Sequence, residues 1–184
     1  AVRVRAGLGR TFQTPRLVAS MSVFENLLVA AHPRIRYGLP AEVFGFSYAV
    51  RDEIAERERV RRLLRVLGLD ALAERAAGDL PSGLLKVLEV ARALVEEPTV
   101  LLLDEPSAGL DPSETRWLGE LITAVAGELG VAVGLIEHDM SLVMGVSDYL
   151  YVLESGRLLT AGRPAEVRSD PRVIAAYLGR EAAA

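Results

Sequence analysis

Cysteine is absent from the 184 residues, and lysine occurs once, at Lys86. The lack of cysteine excludes a disulfide framework. No apolar run reaches the roughly 18 to 20 residues needed to cross a bilayer, and no basic start leads into an apolar stretch that would indicate a secretory signal. A cytosolic location is therefore expected.

A strong net charge is also lacking. The 21 basic residues are offset by 25 acidic ones, which gives a formal net charge of −4. This balance excludes a general electrostatic attraction to nucleic acid or anionic lipid. The length allows one domain with a hydrophobic core but not two domains of ordinary size, so one compact unit, or part of one, is expected.

Strand and helix patterns alternate in the second half of the chain. Thr99–Leu103 and Val131–Ile136 are short apolar runs of the kind found in strands buried on both faces of a sheet. Between them, Asp111 precedes Pro112 and a helical apolar pattern, and Gly130 can end that helix in a left-handed cap. Two strands joined by a helix predict a βαβ unit and a parallel sheet.

The rest of the chain predicts helices and one hairpin. Before the first strand the pattern is helical, and after the second it changes to two strand-like runs with a turn between them, followed by a helical tail. The predicted helices are Arg51–Leu67, Leu84–Val95, Pro164–Arg168 and Arg172–Leu178, and the predicted hairpin joins Tyr149–Leu153 to Arg157–Thr160.

Asp104 and Glu105 follow the first apolar strand directly. In phosphate-transfer ATPases such an aspartate holds Mg²⁺, and an adjacent glutamate can polarise the attacking water. A polar turn after a buried strand is the simpler interpretation of an isolated Asp-Glu pair. It loses weight here because His138 follows the next strand and would lie beside the pair if the strands are neighbours, although a histidine is more often a capping or packing residue.

Leu80-Pro81-Ser82-Gly83 precedes the helix over Leu84–Val95. The free N–H groups of a helix N-terminus suit a phosphate. An ordinary cap by Ser82 explains the tetrapeptide equally well when it is taken alone.

Together these segments resemble the ABC ATPase family, and their order and rough spacing match over nearly the whole chain. The resemblance identifies Gln13 as the Q-loop glutamine, Leu80–Leu84 as the signature motif, Leu101–Glu105 as the Walker B strand with its glutamate, Ser107–Asp111 as the D-loop, and His138 as the switch histidine. It implies ATP and Mg²⁺ as cofactors.

The resemblance also implies a role for each site residue. Glu105, His138 and Gln13 would be catalytic, Asp104 and Gln13 would bind the metal, and Ser82, Gly83 and Asp111 would contact nucleotide.

The fold implied is α/β: a partial P-loop NTPase core with a parallel sheet, plus a helical subdomain. Residues 1–184 would form a single incomplete ABC ATPase domain. Residues 1–13 would end the first part of the core, 14–96 would be the helical subdomain with the signature, 97–160 would complete the core, and 161–184 would be a C-terminal helical tail.

The sequence patterns of Arg10–Leu17, Leu135–Met144 and Asp170–Gly179 resemble those of the ATP-binding subunits of branched-chain amino acid importers. Lipopolysaccharide-export ATPases share the architecture and some of these sequence patterns. The resemblance implies a second ABC ATPase subunit, transmembrane permease subunits and a peripheral place on the cytoplasmic face of the membrane. Thr14–Val50 would receive the permease, although its aromatic residues suit a helical core equally well: Phe24, Tyr37, Phe44, Phe46 and Tyr48.

Two departures from the family pattern stand out. No Gly-x-x-x-x-Gly-Lys-Ser/Thr occurs, and Lys86 precedes Val87 within a helix, so it cannot be the phosphate-binding lysine. The expectation is that the chain lacks its natural N-terminal portion. The signature ends in Leu84 where the family has a polar glutamine, which would weaken contacts to nucleotide.

Two other functions fit parts of the sequence. A non-catalytic partner subunit would account for the missing phosphate loop, but Glu105 and His138 argue against a purely structural role. A soluble ABC ATPase of DNA repair or translation is disfavoured because neither a long coiled coil nor a basic patch is present.

Overall fold

The computed structural model describes residues 7–11, 17–31 and 47–178, and for residues 47–50, 177 and 178 it describes the backbone only. The chain divides into two compact units, Ala1–His138 and Asp139–Ala184. The domain boundaries expected from the sequence, at residues 13, 96 and 160, stay predictions. Within the described residues, no helix is both long enough and apolar enough to cross a membrane.

Among the described residues, the first unit contains a three-stranded parallel sheet. Its strands are β1 (Leu8–Arg10), β2 (Val100–Asp104) and β3 (Ala132–Ile136), in the spatial order β1-β2-β3. Asp104 at the end of β2 lies opposite Ile136 at the end of β3. The predicted parallel sheet is therefore confirmed.

The prediction that both strands are buried on both faces is wrong. Leu101 and Leu103 are each 1% exposed, whereas Val100 and Leu102, on the other face of β2, are 36% and 38% exposed, and Ile136 is 67% exposed. Helices contact the sheet, but among the described residues they leave the second face open to solvent, so exposure alternates with the pleat.

The predicted helix between β2 and β3 is confirmed as α4 (Pro112–Leu129). Asp111 is its N-cap, Pro112 occupies the first turn, and Gly130 closes it with a φ of 65° in the left-handed region that glycine tolerates. Leu118, Leu121 and Val125 form part of its buried face.

Before β2, the described part of the chain forms helices that pack together: α1 (Val23–Ala31), α2 (Ser47–Val66) and α3 (Ser82–Leu94). Short 3₁₀ turns at Asp70–Leu72 and Ala77–Asp79 separate α2 from α3. Since α3 also contacts β1 and β2, it links the helical region to the sheet. The two helices predicted here are confirmed, with boundaries a few residues earlier.

Phe24 belongs to the helical core. It is 5% exposed, and the guanidinium groups of Arg57 and Arg61 on α2 lie 5.9 and 5.5 Å from its ring centroid. The core interpretation therefore holds for Phe24. Tyr37, Phe44, Phe46 and the side chain of Tyr48 lie outside the described residues.

The second unit contains the predicted hairpin and tail helices. After α5 (Met140–Val146), β4 (Leu150–Glu154) pairs antiparallel with β5 (Arg157–Gly162). Then come α6 (Pro164–Ser169), α7 (Pro171–Val173) and a π-helical turn (Ile174–Leu178). A buried cluster in this unit consists of Leu150, Val167 and Val173, with Met140, Val143, Met144, Val152 and Leu159 packed against it.

The two faces of β2 give a matched test of which face carries the core. Leu101→Ala should lower the free energy of unfolding by about 2–5 kcal/mol, because it removes buried methyl groups and leaves a cavity. Leu102→Ala, the same change on the exposed face, should cost about 1 kcal/mol or less. Urea unfolding followed by circular dichroism measures both, and equal losses would contradict the burial pattern.

Candidate functional site

The carboxyl ends of the three parallel strands meet at one edge of the sheet. β1 ends at Arg10, β2 at Asp104 and β3 at Ile136, and Glu105 and Glu137 follow the last two strands. The edge at these carboxyl ends is where open α/β sheets bind ligands. The register therefore brings together the segments that carry Asp104, Glu105 and His138, as the sequence predicts.

Asp104 presents a partly exposed carboxylate at this edge. One guanidinium nitrogen of Arg10 lies 3.4 Å from its Oδ2, and the two side chains are 50% and 27% exposed respectively. An ion pair this exposed is worth at most about 1 kcal/mol. Asp104 thus remains accessible to a ligand at the strand end.

Glu105 has an unusual backbone and an exposed side chain. Its φ of 46° lies in the left-handed region, which non-glycine residues occupy at a cost and which is enriched at functional sites. Its N–H donates to the Ile136 carbonyl at 2.8 Å. The end of β3 therefore holds the backbone of Glu105 while its side chain faces solvent.

His138 is exposed, whereas the side chain of the preceding Glu137 is buried. The His138 side chain is 70% exposed and that of Glu137 0%. Glu137 Oε2 accepts from the His138 N–H at 3.0 Å and lies 3.6 Å from His138 Nδ1. Glu137 thus anchors the backbone of His138 and leaves most of the imidazole accessible.

The loop Pro106–Asp111 is held by hydrogen bonds from both sides. Within it, the Ala108 N–H donates to the Glu105 carbonyl at 3.2 Å and the Leu110 N–H to the Ser107 carbonyl at 3.0 Å. Glu137 Oε1 accepts from the Ser107 N–H at 2.7 Å. On the other side, Lys86 Nζ donates to the Pro106 carbonyl at 3.2 Å and to the Ala108 carbonyl.

The signature segment opens α3, but Ser82 is not its cap. Pro81 occupies the N-cap position, no side chain caps the helix, and Ser82 is exposed. Gly83 is buried, and a Cβ there would lie 2.5 Å from Glu114 Oε1. The glycine thus permits a close approach to α4. The predicted nucleotide contacts of Ser82 and Gly83 stay predictions.

Asp111 is occupied as the cap of α4. Its Oδ1 accepts from the Ser113 and Glu114 N–H groups at 2.7 and 2.9 Å, and its own N–H donates to Glu114 Oε2 at 3.0 Å, which makes a capping box. The bond from the Ser113 hydroxyl, together with these backbone bonds, holds the pKa of Asp111 below its usual value. Its nucleotide role stays a prediction beside this structural one.

Gln13 lies outside the described residues. The carboxylates at the sheet edge fit magnesium only in a site that the nucleotide also helps to form. In nucleotide enzymes Mg²⁺ takes one or two carboxylates together with water and phosphate oxygens. Asp104 supplies one such carboxylate. In residues 7–11, 17–31 and 47–178, no group of three or more acidic or histidine side chains could hold an ion.

Sequence reasoning missed the parts played by Lys86 and Glu137. Both contact the loop that follows Glu105, yet neither belongs to a residue pattern that predicts such contacts. The only signal for Glu137 was a charged residue directly after an apolar strand. For Lys86 it was a single lysine among many arginines.

The profile of the ABC transporter family matches residues 1–108, and a profile described as branched-chain amino acid ATP-binding cassette transporter matches residues 157–183. The first match alone covers more than half of the chain. The chain belongs to the ABC transporter family, as an ATP-binding subunit. Within that family it is similar to proteins of branched-chain amino acid transport.

Two curated relatives illustrate that similarity. The high-affinity branched-chain amino acid transport ATP-binding protein LivG of Salmonella typhimurium is 44% identical over 175 residues, which cover 95% of this chain and 69% of LivG. The corresponding protein BraF of Pseudomonas aeruginosa is 43% identical over the same shares. The family and subgroup resemblance expected from the motifs is confirmed.

Solved structures confirm the α/β fold of a P-loop NTPase cassette. The ADP conformation of MJ1267, an ATP-binding cassette of an ABC transporter, matches with a TM-score of 0.76 at 31% identity, over 96% of this chain and 70% of that one. The structure of cbiO1 from Clostridium perfringens, part of the ABC transporter complex cbiONQ, matches with a TM-score of 0.74 at 32% identity. The match covers 95% of this chain and 64% of that one.

The Asp111 cap predicts a defined pH dependence of stability. Asp111→Ala should lower the free energy of unfolding, whereas Asp111→Asn, which keeps a side-chain acceptor, should lower it less. Since folding depresses the pKa of Asp111, the carboxylate stabilises the fold above its unfolded pKa and loses this effect as the pH falls through the folded value.

The measurement is urea unfolding of the wild type and both variants from pH 7 down to about pH 3. The difference between the wild type and Asp111→Ala should shrink below about pH 4. A difference that grows as the pH falls would contradict the capping role.

Proposed function

We propose that the protein is the ATP-hydrolysing subunit of an ABC transporter that imports branched-chain, hydrophobic amino acids. The family membership supports the ATPase class, and the similarity to LivG and BraF, both named for branched-chain amino acid transport, supports the substrate class. The observation that carries the proposal is the parallel register of β2 and β3, which places Asp104 and Glu105 beside the segment that bears His138.

Each residue at the sheet edge has a chemical task in this proposal. Asp104 helps to hold Mg²⁺, which neutralises phosphate charge when bound, and Gln13 shares in that task. Glu105 accepts a proton from the attacking water, because its exposed carboxylate stands next to the metal-binding aspartate. His138 donates a hydrogen bond to the terminal phosphate from its exposed ring.

A second ATPase subunit and a permease complete the proposed assembly. Ser82 and Gly83, at the N-terminus of α3, meet the phosphate held by the second subunit, since free N–H groups at a helix N-terminus attract anions. Asp111 lies at that same subunit contact. The segment Thr14–Val50 receives the permease, which places the protein at the cytoplasmic face of the membrane.

A non-catalytic partner subunit is the second candidate. It would be consistent with 184 residues that contain no Gly-x-x-x-x-Gly-Lys-Ser/Thr, the loop that cradles phosphates in this class of ATPase. Such a subunit would pair with a complete ATPase and supply a signature segment and a permease surface. The exposed Glu105 and His138 count against it, because a purely structural partner does not need either group.

Glu105→Gln tests the catalytic role. In the full gene product reconstituted with its permease, the amide cannot accept the proton, so ATP turnover should fall by about 10²- to 10⁴-fold while ATP binding persists. Phosphate release measures the rate, and a filter assay measures bound ATP.

The matched control is Glu120→Gln, the same change at an exposed position on α4. ATP turnover by this variant should stay within about twofold of the wild-type rate, because substitutions at exposed positions outside a site have little effect on structure. Unchanged hydrolysis in Glu105→Gln would remove Glu105 from the catalytic role.

The 184-residue chain on its own should not bind MgATP with micromolar affinity. Phosphate binding in this class depends on a glycine-rich loop with its lysine, and the one lysine present is engaged with backbone carbonyls. Isothermal titration with ATP and Mg²⁺ checks this, with LivG of Salmonella typhimurium as the positive control. A micromolar dissociation constant would show that another segment performs the task.

A further inference from the structure

Two oppositely charged side chains hold adjacent backbone groups of the loop that follows Glu105. Lys86 binds the carbonyl oxygens of Pro106 and Ala108, and Glu137 binds the N–H of Ser107 between them. The cation thus takes acceptors and the anion takes a donor from three consecutive residues. We call this arrangement the Lys86–Glu137 clamp.

The anionic half of the clamp, Glu137 with the Ser107 backbone, is sheltered from water. The Glu137 side chain is 0% exposed, and Ser107 is 7% exposed. Burial lowers the pKa of Lys86, and the negative charges of Glu137 and Glu114 oppose that shift. Hydrogen bonds that involve an ionised partner are roughly twice as strong as neutral ones, and more so where water is excluded.

The clamp also connects the loop to the signature helix. Lys86 lies one turn after Ser82 and Gly83, so a displacement of the start of α3 is transmitted to the Lys86 ammonium. Glu114, which completes the Asp111 capping box, packs against Gly83. Two contacts therefore link the first turns of α3 to the loop and to the cap at its end.

Glu105 directly precedes the three residues that the clamp holds. Its carbonyl accepts from the Ala108 N–H, and its own backbone is held at a positive φ. Without the hydrogen bonds from Lys86 to the Pro106 and Ala108 carbonyls, the turn closed by the Ala108 N–H on the Glu105 carbonyl would be less rigid. The clamp therefore reaches Glu105 through a single hydrogen-bonded turn.

We propose that Lys86 is a positioning residue: it holds Pro106–Ala108 so that the position of α3 determines where the Glu105 carboxylate points. Lys86 itself does not touch nucleotide. The inference rests on the proposed ATPase function for its effect on turnover, but its effect on the loop can be measured without any activity.

The first measurement is amide hydrogen exchange on the 184-residue chain, resolved by residue with NMR. Lys86→Met, which keeps the aliphatic stem and removes the charge, should speed exchange at Ser107, Ala108 and Leu110 by about tenfold or more. Arg65→Met is the matched control, since it removes one positive charge from an exposed position on α2. It should leave those three amides unchanged.

The second measurement is steady-state ATP hydrolysis by the full gene product with its permease. Lys86→Met should lower kcat by about tenfold to a hundredfold with KM for ATP unchanged, because a small displacement of a catalytic group acts on turnover more than on binding. Lys86→Arg, which restores a cation, should recover kcat at least partly. If Lys86→Met does not fold, Lys86→Gln takes its place in both measurements.

The outcomes separate the two proposals. Unchanged exchange at the three amides overturns the clamp, whatever the activity. Faster exchange with unchanged kcat, or a loss of kcat that Lys86→Arg does not relieve, overturns the positioning role. If the wild-type assembly hydrolyses no ATP, the proposed function fails, while the exchange experiment still decides whether Lys86 holds the loop.

Discussion

Parallel pairing of β1, β2 and β3 is the constraint on which the site depends. In a parallel sheet all strands end at the same edge, so chemical groups far apart in sequence become neighbours without any specific contact between them. Asp104 lies opposite Ile136, and this register brings the segment after β2 next to the one after β3. A slip of one residue would turn Leu101 and Leu103 outward and Leu102 inward, which the burial of Leu101 and Leu103 opposes.

The loop after β2 adds a second level of order. It is fastened at its start by the Glu105 N–H on β3, in its middle by Lys86 and Glu137, and at its end by the Asp111 cap. The fastening groups belong to the end of β3 and the residue after it, to α3, and to the N-cap of α4. The loop is thereby held by β3, α3 and α4 together. Rigid support of this kind would suit the catalytic role proposed for Glu105.

Much of the fold was predictable because its signals are local. Proline after Asp111 and glycine at position 130 define the limits of α4, and apolar runs of five or six residues define β2 and β3. The hairpin in the second unit follows from two short runs around Glu154-Ser155-Gly156. Placing Asp104, Glu105 and His138 at one edge needed only one further step, the rule that helix-linked strands pair in parallel. These features depend on residues close in sequence, so the chain alone specifies them.

Burial and long-range polar contacts were not predictable in the same way. An apolar strand has the same composition whether one or both of its faces are covered, so Val100 and Leu102 gave no sign of their exposure. Lys86 lies 20 and 22 residues from the carbonyl groups it binds, and Glu137 lies 30 residues from Ser107. Such contacts exist only after α3, β2 and β3 have packed. Because a backbone carbonyl is present at every position, no residue pattern identifies the carbonyl groups that Lys86 binds. The hydrogen bonds that organise the loop are therefore visible only in the three-dimensional structure.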